Sequence, residues 1–342
     1  MLARLCDRCA AVGAVRARTL ALAALVLVPQ AAALGQAPYR LTLTGASPGG
    51  LWSLLGAGIN AAVAARHPGS VVTYQTSGGG LANVVLVSGG RAELGIVHDV
   101  ELRAALRGGE PFRAPVGNLT AVAYLYDWAP MQLLLTQAFA ERYGIETLGD
   151  LIARRAPVRF SVNTRGNIVQ EINRQILAAY GVTYGDIESW GGQIVFAASN
   201  EMANLMANRR IDMSGNGLFA PHNTILQSSN AVDVTLLSLD ASVIETLAVN
   251  AGVRPFTVPA AAYEWLDSDV PTVALGAALV AADTMAEAQA YDLARALVEH
   301  IERLRGVHAA MRALTPAFMA SHAVIPYHPG ALRYYREAGL AD

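Results

Sequence analysis

The chain predicts an α/β protein of two lobes joined by a double crossover, with a ligand cleft between them. Three observations carry that expectation. Beyond residue 36, short runs of β-branched and leucine residues alternate with apolar residues on a helical repeat. Glycine-rich turns stand between strand and helix at 45–50 and 77–80. An Asp127-Trp128-Ala129-Pro130 break interrupts an otherwise extended run, which is what a passage between two cores looks like.

The elements follow in order. Residues 40–44 read as a strand, 52–65 as a helix, 71–76 as a strand, 80–88 as a helix and 94–98 as a buried strand delivering His98 and Asp99. A short helix at 100–107 precedes a strand from 119 that resumes at 131–136 after the break. The second unit alternates again, with strands at 158–162, 194–198, 211–214 and 232–239. Helices are expected at 137–142, 168–180, 201–207, 220–229 and 242–250. The apolar run 273–280 suits a central strand that carries the chain back. Helix follows at 286–303, with Ala290, Leu293, Leu297 and Ile301 on one stripe, and the tail is a proline-rich turn and a short aromatic helix. The expected lobes are 36–128 with 284–342, and 129–283.

The first 35 of the 342 residues read differently. Arg4, Arg8, Arg16 and Arg18 make a basic start, 20–28 is apolar, and Ala31, Ala32, Ala33 and Gly35 are small. That is a secretory signal peptide, cleaved before Gln36 or within a few residues of it, which sends a soluble chain to the periplasm. Both cysteines, Cys6 and Cys9, lie in the leader, so the exported protein has no thiol or disulfide. Lysine is absent, so the 25 basic residues are all arginine; loss of four of them and Asp7 leaves 21 Arg against 26 acidic residues, about −5. A Schiff base and a phosphate-loop lysine are excluded, and mild acidity argues against nucleic acid.

Four stretches carry a family likeness: the glycine turn and helix at 45–56; Gly78-Gly79 with Asn83, Ser88-Gly89 and Glu93-Leu94-Gly95; 236–271 with Pro259 and Tyr263; and Ile325-Pro326-Tyr327-His328-Pro329-Gly330 with Tyr334-Tyr335 and Gly339. On these the chain resembles the TAXI-type solute receptors of tripartite, TRAP-type periplasmic transporters. The resemblance implies a type II periplasmic-binding-protein fold, closure over a small organic acid, and delivery to TRAP-type membrane permease subunits. It implies no catalysis, no metal and no cofactor, and a monomer is expected. A ligand-sensing protein that presents its ligand to a membrane sensor has the same fold, and a two-lobed dehydratase is a third alternative. The chain departs from its relatives at Pro48, at Leu51-Trp52 and at Asn163-Thr164-Arg165-Gly166-Asn167, where small hydroxyl residues are usual.

Candidate ligand-binding residues follow from the turns. Ser47, Gly49 and Gly50 lead into the first helix, and Ser77, Gly78 and Gly79 into the second, where free backbone N–H groups and the helix dipole attract an anion. Trp52 is a wall or a core residue. Asn83 is a ligand contact or a cap. Asn163, Arg165, Gly166 and Asn167 form the corresponding turn of the second unit, and Arg165 offers the planar fork that grips a carboxylate. His98 is expected as a pocket hydrogen-bonding residue, Asp127 and Trp128 as cleft residues at the crossover, and Asn216 as the end of an inner strand. His98 and Asp99 point to opposite faces, and no Gly-x-Ser-x-Gly elbow or HExxH pair is present, so an enzyme site is not expected.

Overall fold

The passages from β-strand to helix at residues 45–50, 77–79 and 163–167 run through glycine and asparagine, and these turns set where the sheet's functional edge lies. The computed structural model describes residues 37–46, 50–109 and 112–342. The leader read in 1–35, and Ser47 and Gly49 of the first turn, lie outside the described residues.

The first unit alternates as β1 (Arg40–Thr44), α1 (Leu51–Arg66), β2 (Val71–Gln75), α2 (Gly80–Ser88), β3 (Leu94–His98) and α3 (Asp99–Arg107). All five residues of β3 are buried, as a strand covered on both faces must be. The chain then enters β4 (Leu119–Thr136). Beyond it come α4 (Gln137–Tyr143), α5 (Leu148–Ala153), β5 (Arg159–Ser161), α6 (Ile168–Ala179), α7 (Tyr184–Ser189), β6 (Gln193–Val195), α8 (Ser199–Ala207) and β7 (Met213–Gly217). The series continues with α9 (Asn223–Ala231), β8 (Val234–Leu236), α10 (Ala241–Ala251), β9 (Arg254–Val258) and β10 (Val270–Ala282). It closes with α11 (Glu287–Glu299), α12 (Glu302–Arg305), α13 (Pro316–Met319) and α14 (Pro329–Glu337). The periodicity did not disclose α7, whose six residues are too few to show a repeat; Thr183 and Asp186 start it with a reciprocal capping box.

The strands join in the order β2-β1-β3-β10-β4-β7-β5-β6, with β8 also on β4 and β9 also on β10. The pairs β1–β2, β1–β3, β5–β6 and β5–β7 are parallel. Between those two parallel groups lie β4 and β10, antiparallel from Leu119 opposite Ala282 to Pro130 opposite Ala274. This mixed α/β sheet with helices on its faces is the type II periplasmic-binding architecture.

The structure corrects one expectation here. Asp127-Trp128-Ala129-Pro130 does not interrupt its strand, because β4 runs unbroken for 18 residues. The proline is tolerated because its missing N–H falls where β4 changes partner. Pro130 is the last residue opposite β10, and Met131 is the first opposite β7. The Pro130 carbonyl still accepts the Leu218 N–H at 3.1 Å.

The tail motif is fixed to the start of β4. The Ala121 N–H donates to Pro326 O, the His328 N–H to Ala121 O, and the Tyr335 hydroxyl to Val122 O at 2.8 Å. His328 then starts α14 by accepting the Gly330 N–H.

Candidate ligand-binding site

In an open α/β sheet, ligands sit beyond the carboxyl ends of the parallel strands, where turns lead into helix N-termini. Here those ends face one cavity of about 90 Å³. A water needs roughly 10–15 Å³ on this measure, so the space suits a ligand of a few heavy atoms. Its wall includes the starts of α1 (Gly50, Leu51, Trp52), α2 (Gly79, Gly80), α6 (Asn167, Ile168, Val169) and α8 (Ser199). The starts of α1, α2 and α8 carry no side-chain cap from a described residue; their N-cap residues are Gly50, Gly79 and Ala198. Only α6 caps itself, with Asn167 Oδ1 accepting the Val169 N–H at 2.8 Å.

One side of the cavity is a relay of ring and carboxyl groups. Trp52 Nε1 donates to the Tyr126 hydroxyl at 2.8 Å, and that oxygen lies 3.4 Å from His98 Nε2. His98 Nδ1 lies 3.1 Å from Glu101 Oε2, which also accepts the His98 N–H at 3.0 Å. The arrangement assigns the proton of His98 to Nδ1, so that Nε2 accepts from Tyr126. The Trp52 and His98 rings pack at 4.6 Å between centroids. Burial pushes the Tyr126 phenol far above its usual range, so it remains a neutral donor.

The other side is a chain of neutral dipoles. Asn163 Nδ2 donates to Asn216 Oδ1 at 3.1 Å, and Asn216 Nδ2 to Ser199 Oγ at 2.8 Å. Asn163 has φ +77°, a left-handed conformation that asparagine tolerates better than most residues. Its Oδ1 accepts the Thr164 N–H and fixes the turn.

Of the residues singled out from the sequence, Gly50, Trp52, Gly79, His98, Asn163, Asn167 and Asn216 line the cavity. The others do not. Asn83 is wholly buried behind the wall, donating to Gly45 O at 2.9 Å and Ile96 O at 2.7 Å, with Ser77 Oγ 2.6 Å from its Oδ1. It pins α2 to the ends of β1 and β3. Gly78 belongs to the same turn without reaching the wall. Asp127 pairs with Arg254 at 2.6 Å, and Trp128 packs on Phe318. Gly166 is exposed, and so is Arg165, whose guanidinium stacks over Phe196 at 3.6 Å from the ring centre.

Sequence reasoning missed Glu101, Tyr126 and Ser199. Glu101 was legible as the third residue of a capping box, but histidine is an unusual N-cap and the pattern was not read. A second pin, Asn173 on α6, was also missed. Its Nδ2 donates to Val169 O at 3.0 Å and Gly215 O at 2.9 Å, and a Cβ at Gly215 would overlap its amide.

Among the described residues, no group of three or more His, Cys, Asp or Glu side chains is placed to hold a metal ion. No helix there is long and apolar enough to cross a membrane.

Fold and cavity together are those of the type II periplasmic-binding architecture, with one cavity at the carboxyl ends of the parallel strands. The chain belongs to the NMT1-like family, whose profile matches residues 43–339. Among solved structures it is similar to MatC from Rhodopseudomonas palustris with bound malate, at 13% identity and TM-score 0.56 over 89% of this chain and 100% of that one. The periplasmic binding protein BugD matches at 13% identity and TM-score 0.52, over 89% and 98% of the two chains. A protein from Bordetella bronchiseptica RB50 matches at 13% and 0.52, over 88% and 98%. At that identity the likeness establishes the fold.

Proposed function

We propose that this protein is a periplasmic receptor that binds a small organic anion in the cavity and delivers it to TRAP-type membrane permease subunits. The observation that carries the anion is the convergence of several helix N-termini on one small space, where α1 and α8 have no side-chain cap from a described residue and do not, like α2, already face Glu101. Each free terminus favours negative charge by about 0.3–1 kcal/mol, and up to about 2 kcal/mol where partly buried. Delivery to a permease rests on the TAXI resemblance and family membership. The malate in MatC agrees with an organic acid as the class of ligand. The two lobes, 36–128 with 284–342 and 129–283, close over the ligand.

Calorimetry of the exported chain with short carboxylic acids and their primary amides tests the charge. A carboxylate should bind at least about tenfold tighter than its amide, a difference of about 1.4 kcal/mol. Equal affinities would remove the helix termini as the reason for binding. Small-angle scattering should show a smaller radius of gyration on saturation with the bound acid.

A further inference from the structure

We infer that Glu101 selects the second group of the ligand: the site takes a monocarboxylate that also carries a hydrogen-bond donor, hydroxyl or ammonium, and rejects a dicarboxylate of similar size. This rests on the anion reading above. Glu101 is 1% exposed and yet forms part of the cavity wall. Its Oε2 is occupied by the backbone N–H and Nδ1 of His98. No described residue donates to Oε1. Both donors fall on that one oxygen, and Oε1 of this wall residue is left for a donor that the ligand supplies.

The neighbours strengthen the point. Glu101 lies against the start of α2, where a Cβ on Gly80 would overlap its carboxylate. That helix end therefore already faces a negative group, and the ligand's own carboxylate belongs at the ends of α1 and α8. No arginine lines the wall among the described residues, and Arg165 is turned away onto Phe196. A second ligand carboxylate would meet Glu101 with no cation between them.

The test uses the exported chain and size-matched acids at three, four and five carbons: the plain acid, its 2-hydroxy and 2-amino forms, and the diacid, with primary amides as controls. Dissociation constants are measured by calorimetry for the native protein and for Glu101→Gln. Glutamine keeps an acceptor for the His98 N–H and is itself a capping-box residue, and a urea midpoint checks the fold of the variant. At the best length, the donor-bearing acid should bind at least tenfold tighter than the plain acid and the diacid. Glu101→Gln should reduce the preference over the diacid at least tenfold. If the amino acid loses more than the hydroxy acid in the variant, the donor is an ammonium; equal losses identify a hydroxyl. A native protein that binds the diacid as tightly, or ratios unchanged in Glu101→Gln, overturns the role of Glu101 while leaving the anion reading intact. No carboxylate binding better than its amide overturns both.

Discussion

Asn83→Ala should cost stability and not ligand affinity. The side chain is 0% exposed, and its amide satisfies the carbonyls of Gly45 and Ile96 at 2.9 and 2.7 Å. Truncation takes the side-chain donor from Ile96 O, at about 1–3 kcal/mol, while Gly45 O keeps the Ser77 hydroxyl at 2.5 Å. Alanine recovers about half a kcal/mol as the better helix former. The net loss is therefore about 0.5–2.5 kcal/mol, read from urea unfolding followed by circular dichroism. Asn83→Asp keeps the shape but turns an acceptor toward the same two carbonyls, so it should cost at least as much. Asn173→Ala supplies an internal check, because that amide makes the equivalent pair of bonds to Val169 and Gly215 and should lose a similar amount. No measurable loss of stability for Asn83→Ala, with weakened ligand binding, would refute the reasoning and return Asn83 to the cavity wall.

Three further outcomes are expected. Trp52→Phe should abolish most of the ligand-induced change in tryptophan emission, because the other tryptophans, Trp128, Trp190 and Trp265, lie outside the wall; an undiminished change would place the reporting indole elsewhere. Arg165→Ala should change affinity by less than about threefold, since an exposed stack on an aromatic ring contributes only about 0.5–1 kcal/mol and none of it involves the ligand; a loss of about 30-fold would mean that the guanidinium swings onto the bound anion. Burial, aided by Arg103 and Arg254, lowers the His322 imidazole from 6.5 to about 4. The unfolded chain then binds the extra proton between those values, so stability is full above about pH 6.5 and falls as pH drops toward 4. The raised Asp99 carboxyl, which burial holds protonated to higher pH, opposes this in part. His322→Leu should flatten the fall between pH 6.5 and 4, and an unchanged slope would assign the effect to His222, lowered to about 4 by the same cause.

The alternation of strand and helix was legible because each turn carries its own punctuation, as at Ser77-Gly78-Gly79-Gly80 and Thr164-Arg165-Gly166-Asn167. Seven of the cavity residues were legible for the same reason: they occupy those turns or the strand ends next to them. The rest required packing. Whether Asn83 faces a ligand or a pair of carbonyls depends on which side of α2 meets β3, and local pattern does not hold that information. Pro130 reads as a breaker on its own, and only the change of strand partner beside it makes it harmless. Glu101 lies within a helix whose sequence looks solvent-facing, and its burial follows from His98 standing at the N-cap.

The pairing of β4 with β10 has a mechanical consequence. No swivel separates the two ends of the sheet, since both passages are strands bonded to each other along the way. A change of angle between those ends must therefore be a flexure of a two-ply ribbon. Single-bond rotation at a linker would give a ball joint, free in several directions, whereas a ribbon is stiff in its own plane and yields across it. The register shifts at Leu275/Ala277 and Ala277/Ala278 mark where the ladder already curves. The molecule is built like a leaf spring, whose softest motion lies along a single bending coordinate.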